Sequence, residues 1–277
     1  MANPNAKNPW QPDWADASPM LAPLLGPARA LANRERWPTL DEYNALLEPP
    51  IHTTGGAPLR FAPQDSKPSC MEDGYEARIY LTGEVQTRTG NWHDFFNTLV
   101  WLAFPRTKSA LNARHFDTLS TDFANPNRGQ SRDALTLFDE SGVAVVYDDE
   151  DLAQLLREHH WKELFWMRRR EVQERMKFVV FGHSLHEKAL RPYLGFTGKG
   201  LLFKAEPSFF SMSPEKQGQD LDNIMAAHFA DGEPLSSREF TPIPLLGVPD
   251  WWPDNENDWF YENTGYFRPP RKIQDNK

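Results

Sequence analysis

Only one cysteine, Cys70, occurs in the 277 residues, so no intramolecular disulfide framework can hold this chain together. Its Pro-flanked, loop-like setting has no neighbouring histidine, which argues against a catalytic thiol. Basic charge is also scarce. Lys and Arg total 30 against 39 Asp and Glu, for a net charge of −9, and the sequence pI is near 5.4. A general nucleic-acid binder needs a basic face, and the totals offer none. Glu163, Glu171 and Glu174 surround the run Arg168-Arg169-Arg170, which therefore reads as a mixed-charge helix face. Long apolar runs are missing too: Phe95 to Phe104 falls far short of the roughly 20 residues that cross a bilayer. The N-terminus lacks a basic start followed by an apolar stretch, so no secretory signal is read and a cytoplasmic location is expected. Gly195, Gly198 and Gly200 lack the Lys-Ser/Thr continuation of a phosphate-binding loop, and Gly182-His183-Ser184 has His186 where a nucleophile elbow needs glycine.

What the chain has in quantity is rings. Ten Trp and eighteen Phe imply a core resting on aromatic packing, in a chain long enough to bury one sizeable core. Residues 1–69 read as an extended, Pro-rich arm anchored by Trp10, Trp14 and Trp37. One short helix begins at Leu40 behind a Thr39/Glu42 capping box and stops before Pro49-Pro50. Residues 70–235 form the expected globular core. Residues 236–277 are a Pro-rich, aromatic tail expected to pack on it.

Within the core, alternation of Tyr75, Ala77, Ile79 and Leu81 predicts a strand closed by Gly83. Phe96, Leu99, Val100 and Ala103 predict a helix from Trp92 to Phe104, ended by Pro105. Ser109 caps a second helix, through Asn112, His115 and Leu119, that gives way to a loop around Asn125-Pro126-Asn127. Leu135 to Phe138 and Val143 to Tyr147 predict a β-hairpin turning at Asp139-Glu140-Ser141-Gly142. Asp148 or Asp149 caps a helix through Leu152, Leu155 and Leu156. Helical character then resumes at Trp161, and the stripe Val172, Met176, Val179, His183, His186, Leu190 carries it across Phe178 to Phe181. Leu201-Leu202-Phe203 forms a short apolar piece and Leu221 to Phe229 a late helix. The fold class is α+β: a helix-dominated single core with a small antiparallel element, wrapped by its termini.

Histidines carry the functional signal. His93, His115, His183 and His186 lie in segments that also supply carboxylates and carboxamides. On a helix His183, His186 and Glu187 fall three and four residues apart and share one face, a spacing from which a helix can give a metal two ligands. The expected centre holds a divalent ion, zinc or similar, through His93, His115, His183 and Glu187, with Asp94 and Glu187 as catalytic carboxylates. It points to metal-dependent hydrolysis. The alternative is that each histidine packs singly beside Trp92, Phe116 or Phe181, and that an aromatic cleft binds a small molecule or peptide without catalysis.

Several motifs occur in order: Asn91-Trp92-His93-Asp94-Phe95-Phe96-Asn97, Phe104-Pro105-Arg106-Thr107-Lys108, Leu135 to Gly142, Trp161 to Trp166, Phe181-Gly182-His183 with Glu187-Lys188, and Leu246-Gly247-Val248-Pro249 followed by Trp251-Trp252-Pro253. Together they resemble a bacterial family, domain-of-unknown-function family 3025, over most of the chain beyond Tyr75. The resemblance implies no particular fold, activity or cofactor.

Overall fold

The computed structural model describes residues 8–31, 34–64, 74–120, 128–231 and 235–269. Cys70 and the loop around Asn125-Pro126-Asn127 lie outside them. The fold is α+β and helix-dominated, with one continuous hydrophobic core that includes side chains from both termini.

The arm is more helical than its prolines suggest. It holds short 3-10 turns, α1 (Leu25–Ala28) and α2 (Leu40–Asn44). The capping box of α2 forms as expected, with Thr39 accepting from the Glu42 amide and Glu42 accepting from the Thr39 amide. Trp14, Met20, Leu21 and Leu24 are fully buried. Trp10 stacks on Trp92 at 5.1 Å, and Trp37 meets the same ring at 4.6 Å. The arm thus packs behind the first turn of a core helix that matters below.

The segment from Tyr75 is not a strand. It is α3 (Tyr75–Thr82), ended by Gly83 at φ 74°, so this glycine is a left-handed helix cap and not a strand terminus. Short strands β1 (Arg60–Ala62) and β2 (Glu84–Gln86) pair in parallel beside it. Two long helices follow. Asn91 caps α4 (Trp92–Ala103), its side chain accepting from the Asp94 amide at 3.0 Å. Next comes α5 (Pro105–Ser120), which starts four residues earlier than Ser109 because Pro105 suits the first helical position.

The expected hairpin is also corrected. Leu135 to Phe138 belongs to α6 (Arg128–Ser141), and only Val143 to Tyr147 is extended, within β3 (Gly142–Tyr147). Ala134, Leu135 and Phe138 form the buried stripe of that helix. Gly142 is not a turn glycine: a Cβ there would lie 2.4 Å from the Phe138 carbonyl oxygen. Asp149 caps α7 (Glu150–Arg157) as expected. A single π-helical turn at Glu163–Met167 leads into α8 (Arg169–Arg175), and the chain then becomes β4 (Met176–Val180), not helix. Three of the four β4 residues from Lys177 on are buried. A strand covered on both faces carries an unbroken apolar run, which leaves period-based reading no purchase.

The remaining elements are α9 (His183–Ala189), β5 (Thr197–Lys204), α10 (Pro214–Ala230) and β6 (Thr241–Pro244). The four-stranded sheet has the order β4-β3-β5-β6 and is mixed, because β3 runs parallel to β5 while the outer pairs are antiparallel. Its pairing places one end with care. Val143 at the start of β3 faces Val180 at the end of β4, so the last turn of α6 and the first turn of α9 emerge side by side.

The tail packs on this framework. Asn255 is fully buried and donates to the Leu246 and Val248 carbonyls at 2.9 and 2.7 Å. The Tyr266 hydroxyl donates to Phe196 O at 2.7 Å. Ion pairs occupy the basic run: Arg168 with Glu171, Arg169 with Asp250 and Glu256, and Arg170 with Glu174. No helix among the described residues is long and apolar enough to cross a membrane.

Candidate metal centre

Three helix ends meet at one point. His93 is the second residue of α4, His183 the first of α9, and Asp139-Glu140 close the last turn of α6. Each placement runs against the helix dipole, which favours anions at N-termini and cations at C-termini. Such local violations, if structural, would have to be offset by one another; they gather where a fold serves chemistry.

Gly182 makes the meeting possible. Its backbone amide donates to Gly142 O at 2.9 Å, and a Cβ would lie 2.5 Å from both the Glu140 carbonyl oxygen and the Ser141 nitrogen. Only glycine lets the β4-α9 junction press this closely on α6. α4 then packs against α9, with the arm behind it.

One ligand atom from each of His93, Glu140 and His183 lies within 4.8 Å of the others. His93 Nε2 stands 3.4 Å from Glu140 Oε2, and His183 Nε2 stands 3.6 Å from Glu140 Oε1. Each imidazole thus faces a different oxygen of the Glu140 carboxylate, at a separation close to the roughly 3.3 Å between ligand atoms of a tetrahedral site with metal–ligand bonds of about 2.0–2.1 Å. The other ring nitrogens also face carboxylates, His93 Nδ1 to Asp94 at 3.4 Å and His183 Nδ1 to Asp139 at 3.6 Å. These are ion-pair separations, longer than formed hydrogen bonds. The rings meet edge to face at 4.4 Å. His183 is 5% exposed at its side chain, whereas His93 and Glu140 are 34% and 37% exposed, so the cluster opens to solvent on their side.

Partners further out fix the carboxylates. Asp94 accepts from two of the Arg88 guanidinium nitrogens, Nε at 2.9 Å and Nη2 at 2.7 Å, and from the Arg88 amide at 2.7 Å. Asp139 receives Lys108 Nζ at 2.6 Å, and Lys108 also donates to Asn97 Oδ1 at 3.0 Å. Ser184 Oγ donates to Glu140 at 2.5 Å. Contacts from His183, then His93, hold Glu140 well below the usual carboxylate range. Burial opposes ionisation of Asp94 and Asp139. Arg88 outweighs it at the first and Lys108 at the second, and both stay low. Asp94, then Glu140, push His93 up to about 9.

The five residues singled out in the sequence therefore separate. His93 and His183 converge, and Asp94 stands behind His93. His115 and Glu187 are not in the group with metal-ligand spacing among the described residues. His115 instead lines a small cavity of about 10 Å³ with Lys108, Asn112 and Asp139, room for about one water. Glu187 is half-buried on α9, and its charge bears on Arg88. The third member, Glu140, escaped sequence reading because Asp139-Glu140-Ser141-Gly142 has the composition of a turn. The helical spacing of Ala134, Leu135 and Phe138 just before it was the available signal.

A helix-dominated α+β domain whose His-Glu-His cluster can hold a metal is the class that fold and geometry define. Residues 59–271 match the family described as "Protein of unknown function (DUF3025)", and the chain belongs to that family. No curated protein and no solved structure matches it.

Proposed function

We propose that the protein is a metal-dependent enzyme of hydrolytic type, with a divalent ion held by His93, His183 and Glu140. The observation that carries this reading is the paired orientation of the imidazoles: each directs Nε2 at Glu140 and Nδ1 at a second carboxylate. A carboxylate behind the ligating imidazole fixes the tautomer and raises ligand basicity, a recurrent arrangement in metal sites. Three protein ligands leave one tetrahedral position for water, whose pKa a bound zinc lowers to about 7. Asp94 is committed to Arg88 and serves as a positioning group for His93. Glu187, whose side chain has no hydrogen bond or ion pair among the described residues, remains the candidate general base.

Elemental analysis by plasma mass spectrometry tests the site. Purified protein dialysed against zinc should hold close to one ion per chain. His93→Ala, His183→Ala and Glu140→Gln should each lose it while keeping the far-ultraviolet dichroism. Metal-free wild-type protein, or full loading of those variants, would leave the cluster as a charge network joining three helices.

A further inference from the structure

A large cavity lies elsewhere. It encloses about 920 Å³, near the upper end of the roughly 300–1,000 Å³ of small-molecule pockets. It meets α4 at Leu102 and Ala103, ten residues from His93 and so about 15 Å along the helix axis. None of the three cluster residues lines it. Its walls are largely apolar, with Trp14, Phe104, Phe178, Phe209 and Trp251 supplying the rings.

One cation stands out on this lining. Lys177 projects from β4 half-buried and, among the described residues, forms no ion pair. It donates to the Gln217 side-chain oxygen, and Gln217, buried, is oriented by donating Nε2 to Phe209 O at 3.0 Å. A neutral carboxamide thus steadies the ammonium without neutralising it, leaving protons for another acceptor. The acids on the same lining are engaged: Asp250 by Arg169 and Gln173, and Glu215 by the start of its own helix, with Arg29 close by. Burial with no compensating charge also pulls the Lys177 pKa down.

We infer that this cavity binds an amphipathic monocarboxylate, its apolar body against the ring-lined walls and its carboxylate on Lys177. An isolated ammonium in an apolar cleft is costly unless an anion joins it, and the charge and shape of the lining fit one such head on a hydrocarbon body.

Isothermal titration of the full chain with dodecanoate and dodecan-1-ol, both below their aggregation limits, tests this. Dodecanoate should bind at least tenfold more tightly than the alcohol. Lys177→Met should abolish that preference, Lys177→Arg should retain most of it, and Ala103→Trp should block both probes. Absence of dodecanoate binding, equal affinity for the two probes, or a preference that survives Lys177→Met would overturn the assignment. The wild-type comparison of acid with alcohol decides even if Lys177→Met does not fold.

Discussion

His186 lies three residues beyond His183 on α9, fully buried, its ring against Phe96 at a centroid distance of 5.9 Å. Neither ring nitrogen makes a hydrogen bond of ordinary geometry, and a weak interaction with the Val180 backbone only partly offsets burial, which drives the pKa down to about 3. The ring stays neutral in the folded protein but titrates near 6.5 once unfolded. Protons therefore favour the unfolded chain, and stability should fall as pH drops from about 6.5 toward 3. His186→Leu should flatten that part of a urea-midpoint against pH profile and raise the midpoint at pH 5. A profile unchanged by the substitution would mean that His186 is charge-compensated in the native state. The contrast with His183 is one of surroundings: one imidazole is wedged beside a phenyl ring, the other between two carboxylates.

The behaviour of single elements depends on their ends. Asn91 holds the first turn of α4 through its side chain, and that turn carries His93. Replacing an Asn cap with Ala costs about 1 kcal/mol. Asn91→Ala should therefore lower the chemical-denaturation midpoint by a corresponding amount and weaken zinc retention, read in one preparation by denaturation and by elemental analysis. End signals were also what the sequence disclosed best. The α2 capping box, the α4 stop at Pro105 and the Asp149 cap could be read because they depend on neighbours within four residues. Tyr75 to Leu81, Leu135 to Phe138 and Phe178 to Phe181 could not, because short apolar segments fit a strand or a helix equally until tertiary packing selects one. The same limit divided the site. His93 and His183 were legible as side chains of the right type, whereas Glu140 becomes a partner only through the close approach at Gly182, which no local pattern encodes.

The whole molecule is held from outside inward. Trp14, Met20, Leu21 and Leu24, all from the arm, are fully buried, although the family match begins only at residue 59. Burying each such side chain contributes about 1.5–3 kcal/mol. Four of them supply roughly 6–12 kcal/mol, the size of the net stability of a typical domain, about 5–15 kcal/mol. A chain beginning at residue 39 should therefore lose its cooperative thermal transition and its near-ultraviolet dichroism, while a full-length chain with Trp37→Ala should keep both at a lower melting temperature. A truncated chain that melts cooperatively would show that the arm decorates a self-sufficient core.

His93, Glu140 and His183 are 47 and 43 residues apart in the chain, and they adjoin only after the sheet has registered β3 against β4. An ion bound there, as proposed, would join three positions far apart in the chain, so all three ligands could meet it only once β3 and β4 have paired. Metal content would then report how much of a preparation has completed its fold, because the three side chains adjoin only in the paired sheet.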